Sequence, residues 1–484
     1  MYLQTLLVYL LCSIPPCLVL RLLNNKYEKN LRSLPGPTWA SFTDLWRFFD
    51  CLLGKPHETH IRLHRQYASP FIRLGPRTVS VSDPTLIPKI YGLNSGITKT
   101  DFYVPFMVPY NGQFTPSLFN ARDNDYHAKY KKPIANAYSM STLVEYEPLI
   151  DSTTAQFVQR LDEFAVSGKK MDLGAWLQMY AFDVIGEIVF SKKIGFLQHS
   201  SDIDGILGDI RAQVYLGGTL GQIPALAKFL LQNPIRLAFA STHPVVNFTI
   251  DRMRERTRRN DESDPSDHDS DTDHPKEARD FLTRCYDAQR KYPDLVTDRI
   301  IRMYNVDNIL AGSDTTAISL RAIFYYLMKT PTSLRRVVAE IDGLQASSEY
   351  ITWKESSSLP YLQSCIKEAL RMHPAVALLL ERYVPKGGME LGGRFFPEGT
   401  ILGMNPCVTA RNMEIYGADA DVFRPDRWLE ASPEALKEME RASLTFGAGA
   451  RSCIGKNISI LEIAKVVPQI LRRYEFRFPD SESE

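Results

Sequence analysis

The 484-residue sequence predicts a mainly α-helical fold with small β-sheets, preceded by a single N-terminal transmembrane helix. Three observations carry that prediction. The first is a nearly unbroken apolar stretch, Tyr2 to Leu20, in which Gln4, Thr5 and Ser13 are the only strongly polar side chains. The second is a set of long segments with apolar residues at helical spacing, closed by prolines. The third is that strand-like runs are few, short and bounded by Gly and Pro.

The apolar stretch comes first. A helix of on the order of 20 residues crosses the bilayer core. Arg21, Lys26, Lys29 and Arg32 follow it and no basic side chain precedes it, so the positive-inside rule places the rest of the chain in the cytosol. A cleaved secretory signal would need a basic leader and a small-residue cleavage site, and neither is present. Pro15-Pro16 would kink such a helix without preventing insertion. Residues 1–21 are therefore expected to form the anchor. Residues 22–37, basic and ending in Leu34-Pro-Gly-Pro37, are expected to form a stiff hinge to a body over 38–484.

Within the body, Asp83-Pro84 opens a helix with Pro at its first position. A long helix is predicted from Asp298 to Lys329, with Ile300, Ile301, Tyr304 and Ile309 on its apolar faces. Thr330-Pro331 ends it and opens another over Thr332 to Leu344. A further helix, Leu362 to Met372, stops at His373-Pro374. Strand-like runs fall at Phe71 to Leu74, Thr78 to Val81 and Met389 to Phe396. The stretch from Asn260 to Lys276 is rich in Asp and Ser, holds no large apolar residue and reads as a solvated loop. His268 and His274 within it lack the fixed geometry that a metal site needs.

Composition excludes several classes. With 57 basic and 56 acidic side chains the net charge is +1, so no basic excess exists to neutralise nucleic-acid phosphates. The 7 cysteines are scattered without a CxxC pair, which argues against a disulfide framework or a zinc site and for a reducing compartment. Asn247-Phe-Thr and Asn457-Ile-Ser match a glycosylation pattern short enough to arise by chance.

The sharpest motif is Phe446-Gly-Ala-Gly-Ala-Arg-Ser-Cys-Ile-Gly455, followed by a helix-like run from Ile454 to Tyr474. A cysteine at such a helix start has its thiolate favoured by backbone N–H groups and the macrodipole. A lone cysteine in a Gly-rich turn is more often inert. Here Phe446, Gly447, Gly449, Arg451, Cys453 and Gly455 are specified together, and the segment resembles the cysteine-ligand loop of the cytochrome P450 family.

That resemblance implies haem b, with Cys453 as the axial iron ligand, Phe446 over the sulfur, glycines allowing close approach of the macrocycle and Arg451 on a propionate. Three further segments resemble the family in the same chain order. Ala311-Gly-Ser-Asp-Thr-Thr316 resembles the oxygen-activation motif, with Gly312 and the polar run loosening the helix. Thr315 is then the hydroxyl donor toward dioxygen and Asp314 the group that brings in protons. Glu368-Ala-Leu-Arg371, with Arg427 of Phe423-Arg-Pro-Asp-Arg-Trp428, resembles a structural triad. Arg382 resembles a second propionate-binding arginine, which makes Val376, Ala377 and Leu378, with Ala311, pocket-lining residues. In His127-Ala-Lys-Tyr-Lys131, Lys131 stands where the family usually has Arg, and both His127 and Lys131 are propionate contacts on this reading.

The resemblance runs from anchor to Cys453, and Leu359-Pro-Tyr-Leu362 and Arg371-Met-His-Pro374 look most like filamentous-fungal, pisatin-demethylase-like members. It implies a monooxygenase acting on an apolar small molecule of secondary metabolism, a terpenoid, polyketide or alkaloid. NADPH electrons would come through a cytochrome P450 reductase, since the chain carries no nucleotide fingerprint of its own. Lys129, Lys131, Lys132 and Lys456 would form the docking face for the reductase, with cytochrome b5 as an optional second donor. The implied location is the endoplasmic reticulum membrane, single-pass, with a cytosolic catalytic domain. One departure stands out: after Tyr474-Glu-Phe-Arg-Phe478 the sequence ends at Glu484, where family members continue for roughly two dozen residues into a hairpin. The alternatives are a haem-thiolate isomerase or dehydratase, and a haem-binding protein inactive for want of that hairpin.

Overall fold

The computed structural model describes residues 15–93, 95–233, 243–262 and 279–478. Most of the expected anchor lies outside them. Residues 15–26 are helical, and Leu18, Val19, Leu20 and Leu23 leave their side chains exposed. The stretch expected as a hinge is packed against the body: Leu31 and Leu34 are buried beside Phe71 and Val79, and Arg73 N–H donates to Pro35 O at 2.8 Å. Among the described residues one helix, Leu173–Phe190, is long and apolar enough to cross a membrane. It is a core helix, buried along 72% of its length.

The long helix is found as predicted, Asp298–Lys329. It buries Ile301, Tyr304, Ile309, Leu320, Ile323 and Leu327 and runs through the larger core, packed along Leu173–Phe190. Pro331 starts the next helix, Pro331–Asp342, and Pro360 starts Pro360–Met372, two residues ahead of the predicted start. Pro at the first position costs nothing there, because that N–H has no helical partner. Asp83 caps Pro84–Leu86 by accepting from Thr85 N–H, and Ile87–Tyr91 continues the turn.

Five short strands form one sheet in the order Phe71–Arg73, Thr78–Val81, Ile401–Gly403, Arg382–Tyr383, Thr98–Lys99. Only the pairing of Thr78–Val81 with Ile401–Gly403 is parallel. A second apolar core lies under this sheet. The run from Met389 to Phe396 is a hairpin, Met389–Leu391 with Arg394–Phe396, because Gly392 and Gly393 take positive φ and turn the chain. The acidic loop begins later than predicted: the helix Pro244–Glu262 absorbs residues 260–262, and the remainder, with His268 and His274, lies outside the described residues.

Candidate active site around Cys453

The Cys453 loop is a closed turn. Cys453 N–H donates to Phe446 O at 2.8 Å, and the helix Lys456–Leu471 begins just beyond. The backbone N–H groups of Gly455 and Lys456 point at the sulfur and, with the Lys456 and Lys131 ammoniums, favour the thiolate. Burial, the largest influence, opposes them, and the thiol sits above its ordinary value. Cys453 nonetheless keeps open surface. A sulfur both deep and open lies on the floor of a recess.

Gly449 has φ +64°, and a Cβ there would fall 1.7 Å from Tyr91 O. The glycine is thus demanded by the protein's own backbone. A Cβ on Gly455 would meet nothing within 4 Å, so that face does leave room for a flat ligand.

The Ala311–Thr316 segment stands beside this loop. Thr316 Oγ1 and Ser459 Oγ are 2.7 Å apart, joining the long helix to the helix that follows Cys453. Ala311 is exposed although Ser313, Thr316 and Ala317 around it are buried. The helix is not loosened here; it runs unbroken from Asp298 to Lys329. Gly312 has another purpose: a Cβ would lie 3.1 Å from Ile185 Cδ1, so its absence lets two helices pack closely. Thr315 Oγ1 donates to Ala311 O at 2.8 Å, and Asp314 Oδ1 accepts from Gln178 Nε2 at 3.0 Å. Burial raises the Asp314 carboxyl above its ordinary range, against the pull of Arg321, Arg211 and Gln178.

A cationic rim surrounds the recess. Arg382 is buried, donates to Tyr103 Oη at 3.3 Å and to Glu381 O at 2.8 Å, and lies over the Tyr91 ring. Arg451 donates to Asn124 Oδ1 and to the carbonyls of Arg122 and Asp123, while its Nη1 is buried without a partner. Lys131 Nζ reaches Ala450 O at 3.4 Å. His127 is buried and held neutral, pushed down to about 3 by burial first and then by Arg451, Lys131 and Lys99.

Lys99 is a member of this rim that nothing in its sequence context marked. It is buried against Tyr103 and Phe119, its Nζ donates to Phe119 O, and burial followed by Arg382 and Arg451 pushes its pKa well down. The hydrogen-bond acceptors of Lys99, Lys131, Arg382 and Arg451 are carbonyls, Asn124 and Tyr103, with no carboxylate among them. Lys99 and Arg382 are buried, Lys131 and Arg451 half-buried, and such a cluster of cations with only the Asp307 and Asp123 carboxylates acting against it favours an anionic ligand. Together with an open sulfur and an orphaned guanidinium nitrogen, they fit haem with its two propionates.

Asp307 is the second residue missed. It lies one turn before Ala311 and two before Thr315, a spacing that could have shown it. Burial lifts its carboxyl to about 7, opposed by bonds from Ser117 and the N–H groups of Phe119 and Leu118.

The three pocket residues that follow the Pro360–Met372 helix form irregular backbone. Val376 is 42% exposed; Ala377 O is taken by Asn405 Nδ2 at 2.9 Å. Leu378 borders a separate small cavity with Arg47, His60, Phe102 and Glu381. The triad is assembled and lies apart from the recess. Glu368 accepts from Arg371 Nε and Nη2 and Arg427 Nε at 2.8 Å each, and from Trp428 Nε1 and Arg424 N–H at 2.9 Å. A groove of about 590 Å³, bordered by Phe164, Arg321, Tyr474 and Phe478, lies on another side of the long helix and belongs to no part of the Cys453 site.

One open cysteine at a helix start, a Thr-bearing helix beside it and a ring of cations hydrogen-bonded to no carboxylate together fit a haem-thiolate site. The family model described as Cytochrome P450 matches residues 35–484. The chain is 42% identical to the cytochrome P450 monooxygenase cicH of Emericella nidulans, over 94% of this chain and 90% of that protein. It is 41% identical to a cytochrome P450 monooxygenase of Aspergillus terreus (92% and 90%) and 36% identical to the cytochrome P450 monooxygenase pkfB of Emericella nidulans (94% and 88%). The chain belongs to the cytochrome P450 family, whose members bind haem through a cysteine thiolate, and it is an oxidoreductase of the monooxygenase class.

Proposed function

We propose that this enzyme inserts one oxygen atom of O₂ into a C–H bond of an apolar small molecule of fungal secondary metabolism. Two electrons and two protons reduce the other atom to water. The electrons come from NADPH, one at a time, through a membrane-bound cytochrome P450 reductase, with cytochrome b5 as an optional second donor. The observation that carries this reading is the placement of Cys453 beside Ala311–Thr316, joined through Thr316 and Ser459, under a rim of cations that lack carboxylate partners.

Haem ligated by the Cys453 thiolate supplies O₂ activation, since thiolate ligation favours O–O cleavage. The chain's own residues do the rest. Lys99, Lys131, Arg382 and Arg451 would hold the propionates by charge, and His127, neutral, would offer them a hydrogen bond. Phe446 lies against the loop and screens the sulfur, and Gly447 and Gly449 shape the turn. Ala311 and Val376 present an apolar wall to the substrate, with Ala377 and Leu378 behind. Thr315, whose hydroxyl now donates to Ala311 O, would supply a hydrogen bond at the reacting centre, and Asp314 would bring protons to it. An N-terminal anchor holds the enzyme in the endoplasmic reticulum membrane with this body in the cytosol, supported by the apolar stretch 2–20 and the basic residues after it. Lys129, Lys132 and Lys456 are exposed and offer the reductase a positive face.

The test is the carbon monoxide difference spectrum of the reduced, detergent-solubilised protein beside Cys453→Ser. A strongly red-shifted Soret band in the wild type and its loss in the variant are expected. A histidine-type band in the wild type, or an unchanged band in Cys453→Ser, overturns the assignment.

A further inference from the structure

Asp314 and Arg321 lie seven residues apart on the long helix, two turns along one face. Opposite charges so placed invite a direct pair, yet none forms. The side chain of Gln178, from the helix Leu173–Phe190, stands between them. Its Nε2 donates to Asp314 Oδ1 at 3.0 Å, and its Oε1 accepts from Arg321 Nη2 at 2.8 Å. Gln178 is buried, at 7% exposed, and the two groups it joins are half-buried.

Arg321 is held from a second direction. Its Nε donates to Gly174 O at 2.8 Å, and a Cβ on Gly174 would lie 3.3 Å from that nitrogen. On its other side Arg321 borders the 590 Å³ groove with Gly174 and Tyr474. A line of hydrogen-bonded groups therefore runs from this groove through Arg321 and Gln178 to Asp314.

We infer that Gln178 is a positioning residue, a neutral spacer that orients the Asp314 carboxylate while keeping Arg321 from pairing with it. The inference rests on the proposed role of Asp314 in proton delivery. An amide neither gains nor loses a proton near neutral pH, so it fixes a carboxylate without trapping it in one charge state. A guanidinium in contact would hold the carboxyl ionised, lowering it by about 1–3 pH units. The groups acting on Asp314 are Gln178, Arg321 on its own helix and Arg211 on the helix Ile206–Leu220; Asp172, at the start of the Gln178 helix, acts on Arg321. Burial outweighs the two distant arginines, and the carboxyl stays above its ordinary range. Direct pairing would reverse that balance.

The test is an infrared pH titration of the haem-loaded, full-length protein carrying ¹³C-labelled aspartate carboxyls, with the Asp314 band identified by its loss in Asp314→Asn. Gln178→Ala removes the spacer and gives Arg321 room to reach Asp314, so the midpoint is expected to fall by about one pH unit or more. Adding Arg321→Leu is expected to bring it back. Gln178→Leu keeps the bulk but removes the donor, and the midpoint is expected to rise. A packing role alone would lower the melting temperature of all three variants without moving the titration.

A midpoint unchanged in both Gln178→Ala and Gln178→Leu, or a fall in Gln178→Ala that Arg321→Leu does not reverse, overturns the inference. The titration needs no turnover, whereas the role of Asp314 is read separately from the hydrogen peroxide released per NADPH consumed in Asp314→Asn. An unchanged peroxide yield there would remove the role of Asp314 while leaving the spacer geometry standing.

Discussion

Replacing Glu368 by Ala should destabilise the enzyme more than any ordinary surface change, and the size can be worked from the contacts. Glu368 is fully buried and accepts five hydrogen bonds, from Arg371 (two), Arg427, Trp428 and the Arg424 N–H. Its removal leaves two guanidiniums, 2% and 3% exposed, without their buried anion. Breaking a buried pair from one side costs about 3–5 kcal/mol. Unfolding entropy of roughly 2.1 cal/mol/K per residue makes about 1 kcal/mol/K for 484 residues, so the melting temperature should fall by about 3–5 °C.

Removing the arginines as well should not restore stability. Arg371 also serves the carbonyls of Ala410, Ala420 and Val422, and Arg427 those of Tyr416, Asp419 and Val422. The arginines are therefore the fasteners of the 410–422 segment, and Glu368 is what makes their burial tolerable. The pH dependence has a definite sign. Burial raises the Glu368 carboxyl, but Arg371, the Arg424 N–H and Arg427 outweigh it and hold it below its ordinary value. A depressed carboxylate stabilises fully above its unfolded value, and the gain is lost only as pH falls through the folded one. The gap between wild type and Glu368→Ala should thus be constant from pH 6 to 8 (a window chosen well above about 4.3, the unfolded glutamate value) and shrink in acid. Thermal unfolding followed by circular dichroism is the assay. A melting temperature within about 1 °C of wild type would refute the reasoning, because it would mean the buried guanidiniums do not need their anion.

Further outcomes follow from the site. Gly449→Ala should abolish haem incorporation, measured as the ratio of Soret to protein absorbance, because its Cβ would overlap Tyr91 O at 1.7 Å; a normal ratio would show that the loop can move aside. Lys99→Met should stabilise the haem-free protein, because the repulsion from Arg382 and Arg451 that it relieves outweighs the lost bond to Phe119 O, and should hasten haem loss from the loaded protein. Denaturant unfolding and haem transfer to apomyoglobin read the two effects, and slower haem loss would contradict the propionate role. Thr315→Ala should leave the carbon monoxide spectrum intact while lowering the rate of product formation by about 10²-fold, the NADPH electrons going to hydrogen peroxide instead, as the loss of a proton-transfer group predicts; an isomerase would show no such change.

What the sequence determined by itself was local. The long helix was legible to its end residues, because Pro331 stops it and its apolar residues keep the helical period. The Cys453 loop was legible because glycine, arginine and cysteine recur there at fixed spacing. The purposes of two glycines were not, since Gly449 answers to Tyr91 and Gly312 to Ile185, partners 358 and 127 residues away by their numbers. Lys99 carried no signal in its two-residue strand, and it joins the rim only because that strand pairs with Arg382–Tyr383. The Gln178 spacer likewise exists only where the helices Leu173–Phe190 and Asp298–Lys329 meet. Periodicity and turn chemistry act between near neighbours and are written in order along the chain. Burial, and the convergence of charges that it makes costly, depends on which distant segments the folded core brings together, and only the tertiary structure decides that.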